Sequence, residues 1–326
     1  MMRYSRIVQK AGQPMYLAST AVFLAEVLKI VACLVVMRHQ QRTWPRFTSM
    51  VRNEILNKPQ ETLKMLIPSG LYALQNNLLY VALSNLEAAT FQVTYQMKIL
   101  STAIFSVVLL GRSLTRGKWL ALVLLMIGVT MVQSQSMSNS TPAPPPPAVD
   151  QAAPVPVAAA AAADPPLAIA VQSPLIGLLA VITSCISSGF AGCYFEKILK
   201  TSETSMWVRN IQLGISGAFF SLVGMLAYDM QALRAGGLLQ GYDWLTWIVV
   251  ANQALGGLLV AIVVKYADNI LKGFATSLSI IVSGVISFYL FNFQPTSPFV
   301  FGAIIVMVSS YLYGLDFKQA GPIKPH

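Results

Sequence analysis

Glu87-Ala-Ala-Thr-Phe91-Gln-Val-Thr-Tyr95-Gln-Met-Lys98-Ile-Leu-Ser-Thr102-Ala-Ile-Phe-Ser-Val-Val-Leu-Leu110 is an apolar run with one cation halfway along it. About 20 residues at 1.5 Å each cross a bilayer as a helix, so the run predicts a transmembrane span. An ammonium at mid-membrane depth costs roughly 2.5–3.5 kcal/mol on insertion scales, so such groups face a protein or water cavity and serve function. The span offers Lys98 no acid within reach. Phe91, Tyr95, Lys98 and Thr102 recur at i, i+4, i+7 and i+11, which is one stripe of a helix.

The rest of the chain agrees that lipid is the solvent. Of 326 residues, 55% are hydrophobic and 10% charged, with a mean hydropathy of +0.62; soluble domains carry about 25% charged residues. Nine spans are expected, over about 14–37, 63–84, 87–110, 117–135, 174–196, 206–228, 244–266, 269–291 and 298–315. Short connections such as Ser84 to Glu87 make neighbouring helices antiparallel. Cys33, Cys185 and Cys193 fall inside apolar segments without a CxxC spacing, so they read as small buried hydrophobes, not as a disulfide framework or a zinc site.

Sixteen Lys/Arg fall in the loops on one side of these spans and four on the other. The cation-rich side is expected to be cytosolic, which puts the C-terminus in the cytosol. The net charge of +10 then sits beside anionic head groups and calls for no nucleic acid.

Residues 134–172, rich in proline and alanine, predict a disordered lumenal linker. Asn139-Ser-Thr within it is an N-glycosylation sequon. The linker divides a first half, 1–133 with four spans, from a second, 173–317 with five, followed by a tail at 318–326. Transporters are often built from inverted repeats, and by that symmetry the first half is one helix short.

Polar residues at membrane depth complete the inventory. Tyr72, Gln75 and Asn76 share a face of the second span, Asn210 and Gln212 open the sixth, and Asn252 and Gln253 lie mid-way along the seventh. Singly, each is explained as interhelical glue worth about 0.6 kcal/mol. Together, aromatics, amides and a lone cation suit an anionic, ring-bearing, hydrogen-bonding solute. Glu26 and Lys29, at i and i+3, neutralise each other on the first span. Asp268 is expected to partner Lys265 or Lys272.

Enzyme signatures such as HExxH and GxSxG do not occur, and nothing calls for a catalytic residue, a metal or a cofactor. Gly111-Arg-Ser-Leu-Thr-Arg-Gly117-Lys118-Trp119 is not a phosphate loop: it has one residue too many between its glycines, and Trp stands where Ser or Thr would bind Mg²⁺.

Several longer strings carry a resemblance. They are Leu74-Gln-Asn-Asn-Leu-Leu-Tyr-Val-Ala-Leu-Ser-Asn-Leu86, Phe91-Gln-Val-Thr-Tyr-Gln-Met-Lys-Ile99, Ser188-Gly-Phe-Ala-Gly-Cys-Tyr-Phe-Glu-Lys-Ile-Leu-Lys200, Trp207-Val-Arg-Asn-Ile-Gln212 and Lys265-Tyr-Ala-Asp-Asn-Ile-Leu-Lys272. In these the chain resembles the Golgi nucleotide-sugar transporters for CMP-sialic acid, UDP-galactose and UDP-N-acetylglucosamine. Glu54-Ile-Leu-Asn-Lys-Pro59 and Glu61-Thr-Leu-Lys64 are most like the UDP-N-acetylglucosamine branch.

The resemblance implies an all-α polytopic membrane protein with the drug/metabolite transporter fold, two inverted five-helix repeats. The family has ten helices and this chain about nine, because Met2-Arg-Tyr-Ser5 resembles the end of the family's first helix. It implies import of UDP-N-acetylglucosamine into the Golgi lumen in exchange for UMP, with UDP-galactose and CMP-sialic acid as alternatives. By the same resemblance Lys98 and Lys272 neutralise phosphate, Tyr72, Asn76 and Asn210 shape the nucleoside site, and Ser188 and Gly189 are pocket positions. Phe91 stands where relatives often carry Tyr, and Gly214 replaces a larger residue of the sialic-acid branch. The family also allows a homodimer. A non-transporting scaffold for lumenal glycosyltransferases is the rival class, and follows if the first helix is truly missing.

Overall fold

The computed structural model describes residues 16–41, 43–138, 173–202, 204–291 and 295–319. The expected opening of the first span at 14–15, the resemblance at residues 2–5, Asn139, linker residues 139–172 and tail residues 320–326 lie outside them.

The apolar runs become helices: α1 (Ala18–Gln41), α4 (Leu66–Asn85), α5 (Ala88–Tyr95), α6 (Met97–Leu110), α7 (Arg116–Ser138), α8 (Pro174–Thr201), α9 (Met206–Tyr228), α11 (Trp244–Tyr266), α12 (Asn269–Phe291) and α13 (Ser297–Gln319). Short helices α2 (Trp44–Val51), α3 (Pro59–Lys64) and α10 (Met230–Gly236) lie between them, with a π-helical turn at Arg52–Leu56. Local chemistry sets several ends. Pro174 opens α8, where a missing N–H is harmless. The Ser205 hydroxyl accepts from Trp207 N to cap α9. Gly111 ends α6 at φ +65°, a left-handed conformation that glycine adopts without a Cβ clash.

Eight helical stretches among the described residues are long and apolar enough to cross a membrane, and each answers to one of the nine expected spans. The remaining expectation, 63–84, is met by α4, which has twenty residues but is diluted by Gln75-Asn76-Asn77. Several boundaries move outward: α8 reaches Thr201 and α13 reaches Gln319, past the expected 196 and 315. α1 continues past residue 37 to Gln41, with Arg38 and His39 in its last turn. α7 runs to Ser138, so the first five residues assigned to the linker are helical. Outward side chains such as Val35 and Val108 are 63% and 70% exposed, as lipid-facing positions should be.

The helices form two compact units. The first comprises described residues up to Tyr80 and Tyr194–Tyr266, the second Val81–138, 173–Cys193 and Ala267–319. Each draws helices from both sides of residues 139–172, so compactness and the two sequence halves are different divisions of this chain. In the first unit α1 packs against α9 and α11. Cys33, Met37, Val208 and Ile211 are buried there, with Phe47 and Met50 of α2 laid over them. In the second, α7 packs along α13, burying Leu122, Leu125, Val129, Val306 and Tyr313 with Phe274 of α12.

Candidate functional site

The second unit contains the stripe of Phe91, Tyr95, Lys98 and Thr102. The helix carrying it is broken at Gln96, between α5 and α6. Gln96 N bonds Val93 O and Ile99 N bonds Gln96 O, so the spacing tightens from four residues to three at the break. Across it the stripe stays continuous. Phe91 and Tyr95 are buried and their rings stack at 5.5 Å between centroids with 12° between planes. Lys98 Nζ lies 4.3 Å above the Tyr95 ring, and Thr102 Oγ1 donates to Lys98 O at 2.8 Å. The cation is therefore presented on an aromatic face, an arrangement worth about 0.5–2 kcal/mol.

Gly189 of α8 sits against α6. A Cβ there would lie 2.8 Å from Ser101 C and 2.9 Å from Thr102 N, so the two backbones touch where a side chain would stand. Ser188, beside it, is half-buried. Lys272 lies in the first turn of α12, a helix that packs against α6. Asp268 caps that helix, its Oδ1 accepting from Leu271 N at 2.5 Å. Its Oδ2 pairs with Arg112 at 3.1 Å, a partner the sequence reading did not name, while Lys265 donates to Leu199 O at 2.6 Å. Arg112 is adjacent to the Gly111 turn, and only the folded chain brings it to Asp268.

Tyr72, Asn76 and Asn210 belong to the first unit, and are described there by themselves. Asn77 is exposed and donates to Ala73 O at 2.9 Å, which removes it from the polar face of α4. Asn76 keeps a buried Nδ2 with no hydrogen-bond partner among the described residues. Asn210, 1% exposed, donates to Met206 O at 2.9 Å, and its Oδ1 likewise has no partner among the described residues. A buried donor and a buried acceptor left this way each cost about 1–3 kcal/mol, which a polar ligand would recover.

Two further polar features stand in this unit. Lys29 Nζ pairs with Glu26 Oε2 at 2.6 Å, as expected, with both side chains almost fully buried. The pair is lodged against glycines of two other helices: a Cβ at Gly217 would lie 3.0 Å from Glu26 Oε2, and one at Gly257 3.4 Å from Lys29 Cδ. Gly214, one turn beyond Asn210, borders the same carboxylate. The visible signal was the pair of glycines at 214 and 217, on one face of α9 beside a polar opening.

The second feature is Arg209, at the start of α9. It is 4% exposed, and donates to Glu61 Oε2 at 2.6 Å, Gln212 Oε1 at 2.9 Å and Ser202 Oγ at 2.8 Å. Gln212 Nε2 donates in turn to Glu54 O at 3.2 Å, so the connection between α1 and α4 is tied to the start of α9, next to Asn210. Lys64 first, and Arg209 with it, hold the Glu61 carboxyl below the usual carboxylate range. A depressed carboxylate contributes stability that is complete above its unfolded value, near 4.3, and lost as pH falls through its folded value. Unfolding temperature in detergent should therefore drop on acidification below pH about 4, and Glu61→Gln should flatten that part of the profile. An unchanged profile in Glu61→Gln would place the acid sensitivity elsewhere.

Stacked rings with a cation over one of them thus lie within a span of the second unit, and buried amides stand on helices of the first. The family model for nucleotide-sugar transporters matches residues 1–314, and the chain belongs to that family. It is thus a multi-pass membrane protein of a transport family, not an enzyme. The mouse UDP-N-acetylglucosamine transporter is 53% identical over 98% of this chain and 91% of its own length. A UDP-N-acetylglucosamine/UDP-N-acetylgalactosamine transporter of Caenorhabditis elegans is 45% identical over 100% of this chain and 91% of its own. The human UDP-galactose translocator is 49% identical over 94% of this chain and 72% of its own.

Proposed function

We propose that this chain imports UDP-N-acetylglucosamine into the Golgi lumen in exchange for UMP, with its cation-rich loops and C-terminus in the cytosol. The observation that carries the chemistry is the Lys98 ammonium held over the stacked Tyr95 and Phe91 rings inside a span. A cation on an aromatic platform suits a phosphate joined to a base-bearing nucleoside. The choice of sugar is supported by the names of the mouse and nematode relatives.

In this reading Lys98 and Lys272 neutralise phosphate, and Phe91 and Tyr95 offer the stacking surface. Ser188 and Gly189 line the approach to them. Tyr72, Asn76 and Asn210 take the nucleoside, whose pyrimidine edge needs one acceptor and one donor. Asn210 Oδ1 and Asn76 Nδ2 are of those two kinds. Two inverted repeats, 1–133 and 173–317, would supply the alternating access that exchange requires.

The test is uptake by the purified protein in liposomes, from a panel of labelled UDP-N-acetylglucosamine, UDP-galactose and CMP-sialic acid. UMP loaded inside should accelerate entry of the preferred UDP-sugar, because only a ligand that distinguishes two conformations shifts their balance. Equal initial rates from empty and UMP-loaded vesicles would remove exchange from the reading. No uptake of any sugar by a folded protein would favour the glycosyltransferase scaffold.

A further inference from the structure

A helix in lipid must satisfy its backbone carbonyls from within the protein. At Gln96 the ladder changes its spacing, because Ile99 N bonds Gln96 O, three residues back, at 3.0 Å. A neighbouring helix supplies a donor there. Cys185 of α8, 2% exposed, places its Sγ 3.4 Å from Tyr95 O and 3.9 Å from Thr94 O. Eight residues along the same helix, Cys193 Sγ lies 3.4 Å from Thr102 O and 3.3 Å from Ser106 Oγ. Gly189, midway between the two thiols, permits the backbone approach that brings both within reach. Two thiols of α8 thus bracket the Lys98 segment, one at its break and one a turn beyond Lys98.

We propose that Cys185 is a positioning residue for transport: its S–H donates to the carbonyl of Tyr95 and fixes the rotation in which Tyr95 and Lys98 meet the substrate. The inference rests on the proposed assignment of those two residues to the nucleotide. A thiol suits the task. It is a weak donor, apolar enough for a lipid-buried helix, and its long C–S bond reaches across a helix–helix gap. Cys193 serves the following turn in the same manner, where Ser106 shares the contact.

The experiment compares Cys185→Ala and Cys185→Ser with the unsubstituted protein in UMP-loaded liposomes. Both replacements are smaller than cysteine, so a packing role is lost in both, whereas a donor role is restored by serine alone. Expected for Cys185→Ala is a KM for UDP-N-acetylglucosamine up to about fivefold higher, the most that one hydrogen bond's net worth can supply, with a single unfolding transition retained. Cys185→Ser should return KM close to the starting value.

Amide hydrogen exchange over residues 91–102, followed by mass spectrometry, reads the break without reference to transport. It should quicken in Cys185→Ala and recover in Cys185→Ser. Equal KM losses in both variants, or unaltered amide exchange in Cys185→Ala, would overturn the proposal. So would an unaltered KM in Cys185→Ala where Lys98→Ala lowers uptake as expected. If Lys98→Ala leaves uptake intact, the site assignment fails by itself, and the positioning of Lys98 for substrate falls with it.

Discussion

Lys98→Ala is expected to lower nucleotide-sugar exchange roughly ten- to a hundredfold, the loss of one or more charge-assisted contacts worth about 1.5–3 kcal/mol each. Insertion and fold should survive. The magnitudes separate the two roles of this side chain. Its cation–π contact with Tyr95, at 4.3 Å, contributes about 0.5–2 kcal/mol. Removing an ammonium from membrane depth returns roughly 2.5–3.5 kcal/mol. A structural role would show as a lowered unfolding temperature in the alanine variant. Function lost without stability lost is the signature of a substrate contact. Lys98→Arg keeps the charge but spreads it over a planar fork, and should fall between the two. Rates of uptake and unfolding temperatures, measured on the same purified samples, decide the matter. Parental uptake by a well-inserted Lys98→Ala protein would sink the assignment.

What the sequence made legible follows from the range of each interaction. Spans are local: a run of apolar residues of bilayer length declares itself, and eight of the nine expectations meet helices apolar enough to cross. The Phe91–Tyr95–Lys98 face was legible for the same reason, since helical periodicity places i, i+4 and i+7 together. The Glu26–Lys29 pair, three residues apart, was legible as a pair but not as an object lodged against Gly217 and Gly257. Partners distant in sequence stayed hidden. Arg209 finds Glu61 across 148 residues, and Cys185 finds Tyr95 O across 90. Asp268, with two lysines nearby in sequence, also reaches Arg112, 156 residues away. The break at Gln96 was equally invisible, because neither proline nor glycine marks it.

Gly189→Leu should be the most damaging substitution in the second unit, lowering the unfolding temperature sharply and abolishing uptake. The Ser101 hydroxyl is the nearest obstacle and can swing aside, but the backbone beside it cannot. A Cβ at this position would sit 2.8 Å from Ser101 C and 2.9 Å from Thr102 N, against an optimum near 3.5–4.0 Å for carbon contacts. α8 and α6 would have to separate by about 1 Å before any of the remaining leucine atoms are placed, and overpacking of this kind typically costs 1–3 kcal/mol. Separation would also draw the Cys185 and Cys193 thiols away from the carbonyls of Tyr95 and Thr102, so the Lys98 face would lose its support as well as its spacing. Gly189→Ala should show the same effects in reduced form. Gly314 provides the control. It lies in α13 with no atom within 4 Å of its would-be Cβ, and Gly314→Ala exchanges a poor helix former for the best one. That variant should be neutral or slightly more stable. If Gly189→Leu and Gly314→Ala unfold at the same temperature and transport alike, α8 and α6 do not approach as closely as described, and the positioning of Tyr95 and Lys98 must be sought in another contact.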